Sequence, residues 1–190
     1  EALVEFDKNG AWASNYEPQG TVLGMSGGLL DIDLQDERIL DHKIIAHDRN
    51  VTVQYQVTSF PADHPNTVRL TLRGKKGKKI QVIAVSTGGG MMEIKFVNNI
   101  SVKIAGDYYE LLIFYDNILS EAEKKKTEAA IPRKSSAIWI EQDDVQALNV
   151  KSNLPFEKSD IQRIKQVNIS SYFAKINPIL PVLSGSEGLY

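Results

Sequence analysis

Cysteine is absent from the 190-residue chain. That absence removes disulfides, thiolate metal sites, iron–sulfur ligation by these residues and cysteine nucleophiles. Long apolar runs are missing too, since no stretch approaches the roughly 20 residues a membrane-spanning helix needs. The start, Glu1-Ala2-Leu3-Val4, has neither an initiator Met nor a basic region ahead of an apolar one. Charge of one sign is also lacking: 22 basic and 24 acidic residues leave a formal net charge of -2. No overall field draws the chain toward nucleic acid or an anionic membrane surface. What is present, 42% hydrophobic residues, suffices for a packed core at this length. The expectation is a cytoplasmic globular protein with neither nucleic acid nor membrane as partner.

The period of the apolar residues predicts strands first. Val51, Val53, Tyr55 and Val57 alternate with Thr52, Gln54 and Gln56, the pattern of a half-buried strand. Pro61, Pro65 and Asn66 interrupt it, and Val68, Leu70 and Leu72 resume it between outward Arg69, Thr71 and Arg73. The polar connection 74–79 leads into Ile80 to Val85, as in an antiparallel hairpin. Met92, Ile94 and Phe96 alternate next, Asn98-Asn99 turns the chain, Ser101 to Ile104 returns it, and Tyr108 to Tyr115 is a further apolar run.

Helices are predicted over Thr21 to Leu34, where glycines permit close packing, and over Asp36 to Asp48, with acidic residues in its first turn and Leu40 and Ile44 on one face. A third spans Ser120 to Ala130, ended by Pro132, and a short one runs from Ser159 to Val167. The predicted fold is α+β: a mainly antiparallel sheet with two helices packed on one face, followed by an irregular, partly helical C-terminal extension. The predicted domain occupies residues 1–118, with a helix and linker over 119–190.

Three consecutive glycines, Gly88, Gly89 and Gly90, sit between two of these strands. They permit positive φ and remove every Cβ, so successive backbone N–H groups can converge on a small carboxylate or phosphate, with the Ser86 and Thr87 hydroxyls beside them. The alternative is a tight turn or bulge where another backbone packs close. A nucleotide P-loop fits poorly, because Met91 to Phe96 alternates as a strand where that motif requires a helix. His64 and Asn66, in "DHPNT", could form a polar site or simply a turn organised by Pro65. His42 and His47 are five apart rather than four, so no metal site is expected.

Four blocks, "QGTVLGMSGGLLDIDLQDERI" (19–39), "DHPNTVRLTL" (63–72), "VSTGGGMMEI" (85–94) and "IAGDYYELLIFYDN" (104–117), resemble in order and spacing the β domain of the bacterial iron–sulfur L-serine dehydratases. "FDKNGAWASNY" resembles the strand and loop before the first block, and "INPILPVLSG" the connection toward a catalytic α domain. The resemblance implies a fold like the allosteric substrate-binding domain of some phosphoglycerate dehydrogenases. It also implies the reaction of L-serine to pyruvate and ammonia. The four-iron–four-sulfur cluster then belongs to an α domain or subunit absent from this sequence, and the partners are that α component, L-serine or a related amino acid, and a second copy in a homodimer. Ser86, Thr87, Gly88, Gly89 and Gly90 would meet substrate or effector.

Two departures stand out. The family's Gly-His-X-Thr-Asp block reads Pro18-Gln19-Gly20-Thr21-Val22 here, so Thr21 is kept while Gln19 replaces the histidine and Val22 the aspartate. Glutamine hydrogen-bonds but cannot act as a base near neutral pH. The family's Gly-Pro-Ser-Ser-Ser-His-Thr segment does not occur, which a fragment of a longer protein explains. The expectation is a β-domain fragment that is inactive alone. The alternatives are a free-standing regulatory module binding a small amino or hydroxy acid, and a dimerisation domain without ligand.

Overall fold

The computed structural model describes residues 1–167 and 172–179. It divides into two compact units, Glu1–Lys103 and Ile104–Tyr190. The segment "INPILPVLSG" lies largely outside the described residues.

The first unit is built on a six-stranded sheet of β1 (Ala2–Asp7), β2 (Val53–Thr58), β3 (Thr67–Arg73), β4 (Lys79–Gly88), β5 (Met91–Val97) and β6 (Ile100–Ile104), in the order β2-β1-β3-β4-β5-β6. The pairs β1–β3, β3–β4 and β4–β5 are antiparallel, and β1–β2 is parallel. The parallel pair follows from its connection. Helix α1 (Thr21–Leu30) and helix α2 (His42–Asp48) carry the chain back before β2 begins, as parallel strands require. Val4 and Phe6 face Leu70 and Val68 across the register and pack with Met25 and Leu29 of α1. Leu30, Ile32, Ile39 and Ala46 form a further cluster that joins α1 to the α2 segment.

Both predicted helices are present in shorter form. The first ends at Leu30 because Asp31 turns left-handed (φ 53°) and donates its N–H to Gly27 and Gly28 carbonyls, closing the last turn. The second divides into a 3-10 segment, Glu37–Asp41, whose Asp36 cap accepts the Arg38 N–H, and α2 proper.

The second unit runs β7 (Tyr109–Tyr115), α3 (Glu121–Ala130), β8 (Ser135–Gln142), β9 (Val145–Ser152), α4 (Lys158–Val167), β10 (Tyr172–Ile176). Its antiparallel sheet has the order β10-β7-β9-β8. Ala130 of α3 and Ile164 of α4 share one core with Leu111, Ile113, Leu148 and Val150, so both helices cover one sheet face. This is a βαββαβ, ferredoxin-like arrangement. Ser120 starts α3 with a reciprocal capping box to Glu123.

The partly helical C-terminal region of the sequence analysis thus also contains β8, β9 and β10. The run Tyr108 to Tyr115, placed with residues 1–118 from the sequence, belongs to this second sheet. The reason is visible in its burial: Leu111 through Tyr115 are all buried. A strand covered on both faces carries no alternation to show its partners, and these lie further along the chain.

Candidate functional site

Parallel β1 and β2 end on the same side of the first sheet, at Asp7 and Thr58, where β3 begins and β4 ends. Three loops gather there and are tied by backbone hydrogen bonds. Lys8 N–H donates to Thr58 O (2.8 Å), Ala11 N–H to Pro65 O (2.7 Å), and Ser86 N–H to Asn66 O (3.0 Å). In open sheets with crossover helices this is where ligands collect, because the loops can vary without disturbing the strands.

The glycine turn lies on this edge. Gly88, Gly89 and Gly90 have φ of 94°, 61° and 80°, all in the region that favours glycine. Ser86 and Gly88 end β4, with a register irregularity between them, and Met91 opens β5. Residues 87–90 are exposed, and nothing lies within 4 Å of a Cβ built on any of the three glycines. Close packing against another backbone therefore does not explain them; Gly88 pairs with Met91, and Gly89 and Gly90 form the exposed two-residue turn between β4 and β5, whose positive φ favours glycine.

His64 and Asn66 are half-buried in the neighbouring loop. His64 Nδ1 accepts the Asn66 N–H (3.1 Å), and the Thr67 hydroxyl donates to His64 O (2.6 Å). The ring's accepting role puts the imidazole proton on Nε2. The structure therefore brings His64, Asn66, Ser86 and the glycine turn to one sheet end.

Gln19 and Thr21 flank Gly20, the left-handed cap of α1. Their amides donate to Asn15 O and Tyr16 O, and the Tyr16 ring stacks on Phe6 near the end of β1 (centroids 4.6 Å). The Gln19 and Thr21 side chains make no hydrogen bond among the described residues. Two acceptors in this region, Asp7 Oδ1 and Asn15 Oδ1, are buried with no partner. Buried polar atoms are normally satisfied, so both suit donors from a ligand or water.

On the sheet face away from α1, Glu5 accepts two hydrogen bonds from Arg69 (2.7 and 2.8 Å) and one from Gln56 (3.1 Å). The Arg69 guanidinium holds the Glu5 carboxyl below the usual carboxylate range against the opposing push of burial. Arg69 in turn lies over the Phe60 ring at 4.4 Å. The Glu5 carboxylate is thus satisfied within the sheet.

One feature escaped the sequence analysis: a cleft of about 690 Å³ walled by α1, α2 and β2. Inside it the Ser26 and Tyr55 hydroxyls meet at 2.7 Å, and the Tyr55 hydroxyl donates to Val22 O at 3.1 Å. Burial raises the Tyr55 phenol. The only sequence trace of this cleft is Tyr55 on the inward side of β2; its helical wall depends on how α1 and α2 pack. His42 and His47 line it as well, and no group of three or more metal-ligating side chains occurs among the described residues.

The sequence is 32% identical over 108 residues to the probable L-serine dehydratase, beta chain, of Bacillus subtilis (strain 168), covering 57% of this chain and 49% of that protein. It is 27% identical over 151 residues to the L-serine dehydratase, beta chain, of Peptoniphilus asaccharolyticus, covering 79% and 64%. No family model matches the sequence. The chain thus spans from about half to just under two thirds of the curated relatives it matches. The resemblance to the β domain of bacterial L-serine dehydratases, read from four sequence blocks, is borne out by both.

Proposed function

We propose that this chain is the β component of an L-serine dehydratase, a cytoplasmic carbon–nitrogen lyase whose reacting centre lies in a partner α chain. The observation that carries the reading is its similarity to two L-serine dehydratase beta chains. The site geometry supports it. The exposed turn Gly88 to Gly90, with the Ser86 and Thr87 hydroxyls, suits a small carboxylate. The unpartnered acceptors of Asp7 and Asn15 suit an ammonium group. In this reading the sheet-end loops bind substrate or effector and help close the α chain's active site.

A four-iron–four-sulfur cluster does not fit this chain, which has no cysteine to hold it. Gln19, at the family's histidine position, positions a substrate by hydrogen bonding but takes no proton. The chain alone is therefore inactive, and proton transfer falls to other groups of the complex.

Calorimetric titration of L-serine into the full chain tests this, with D-serine and L-alanine as controls, first alone and then with a cysteine-bearing α chain. Stereoselective binding in either arm, abolished by Gly89→Val, supports the reading, as does pyruvate release only when the α chain is present. Absence of both binding and co-purification with the α chain would overturn it. Binding alone without association would favour a free-standing sensor of a small amino or hydroxy acid.

A further inference from the structure

The cleft between α1, α2 and β2 is separate from the glycine turn and independent of the lyase reading. At about 690 Å³ it falls within the range of small-molecule sites. Its deep part is apolar, with Leu30 and Ala46 buried and Val22, Val51 and Val53 beside them, and one hydroxyl pair. Tyr55 gives its only hydroxyl proton to Val22 O, so Ser26 donates to Tyr55. The Ser26 oxygen keeps lone pairs for an incoming donor.

The rim has a different character. Glu17, before α1, and Lys43, on α2, both line the cleft and are both exposed. They are not within ion-pair distance of each other, and Lys43 has no carboxylate partner among the described residues. The Glu17 carboxylate accepts the Tyr16 hydroxyl at 3.5 Å and the Lys43 ammonium is unpaired among the described residues, so the rim, which also holds His42 and His47, offers one carboxylate and one ammonium to a ligand that brings the opposite pair. We propose that this cleft binds a zwitterionic α-amino acid with an apolar side chain. The carboxylate meets Lys43, the ammonium meets Glu17, and the side chain lies on the valine and leucine wall.

The test is a heteronuclear NMR titration of the full chain with L-leucine. Controls are L-leucinamide, which lacks the anion, 4-methylpentanoate, which lacks the cation, and L-serine, which lacks the apolar side chain. Saturable shifts confined to residues 16–30 and 42–55, strongest for L-leucine, are expected. Lys43→Gln should weaken L-leucine about two- to fivefold and leave L-leucinamide unchanged, and Glu17→Gln should do the same relative to 4-methylpentanoate. Both positions are exposed, so neither variant threatens folding. The proposal is overturned if millimolar L-leucine moves no resonance in those segments. It is also overturned if L-serine or either singly charged analogue binds there as well as L-leucine. Because L-serine binding at residues 86–90 is read from separate resonances, failure here leaves the lyase reading intact, and the reverse also holds.

Discussion

Arg69→Met tests the energetics of the first sheet most directly. Glu5 sits across the register from both Arg69 and Gln56, and its side chain is 8% exposed against 24% for Arg69. Removing one partner of a buried ion pair strands the other and costs about 3–5 kcal/mol. Here the Gln56 hydrogen bond persists and Arg69 keeps some solvent, so about 2–3 kcal/mol is expected. The assay is urea unfolding followed by Trp12 fluorescence in a Trp139→Phe background, because Trp12 packs edge-on against Phe6 (5.6 Å) in the first unit and Trp139 belongs to the second. In the parent, Arg69 lowers the Glu5 carboxyl, so the pair's stabilisation is present above the unfolded carboxylate range and is lost as pH falls through the lowered folded value. In Arg69→Met, burial is opposed only by the Gln56 hydrogen bond and the Lys79 charge, so that carboxyl moves up from its parent value. The variant's penalty is then largest near neutral pH and shrinks as pH falls into the carboxylate range. The double variant Glu5→Gln/Arg69→Met should recover most of the loss, since no stranded charge remains. A penalty under about 1 kcal/mol, or one independent of pH, would refute the reasoning.

Other expectations follow from the same structure. Gly10→Ala should destabilise the first unit by about 1–3 kcal/mol, because its Cβ would lie 2.5 Å from Pro65 O and 3.1 Å from Asp7 O, backbone atoms that cannot swing away; thermal unfolding checks it. Gly89→Ala meets nothing within 4 Å but sits at φ 61°, so a milder cost of about 1 kcal/mol is expected in the same measurement. Ser120→Ala removes the α3 capping box and should lower the stability of the second unit by about 1 kcal/mol, read from Trp139 fluorescence. Glu110 is fully buried, accepts a hydrogen bond from Asn149 (2.8 Å) and lies 3.4 Å from Lys151. Burial raises its carboxyl above the ordinary value, so its contribution is present at low pH and lost as pH rises through the folded value. Glu110→Gln should therefore flatten the pH dependence of second-unit unfolding, and an unchanged profile would contradict this.

Local pattern made much of this protein legible. Alternation located β2, β3 and β5, the polar connection 74–79 marked the hairpin into β4, Pro132 marked the end of α3, and the glycine run marked a turn with positive φ, because these are properties of a few adjacent residues. The four motif blocks likewise carried the family resemblance. Pairing between distant segments was not legible in the same way. The parallel alignment of β1 with β2, the place of β7 at the centre of a second sheet, and the strands β9 and β10 all depend on partners tens of residues away. Buried on both faces, β7 also lost the alternation that reveals a half-exposed strand. The site divides along the same line. Sequence named His64, Asn66 and Ser86 to Gly90 individually, but only the register of β3 against β4 set them at one sheet end. The cleft with Ser26, Tyr55, Glu17 and Lys43 has no sequence motif, because it exists only where two helices and an edge strand pack without filling the space between them.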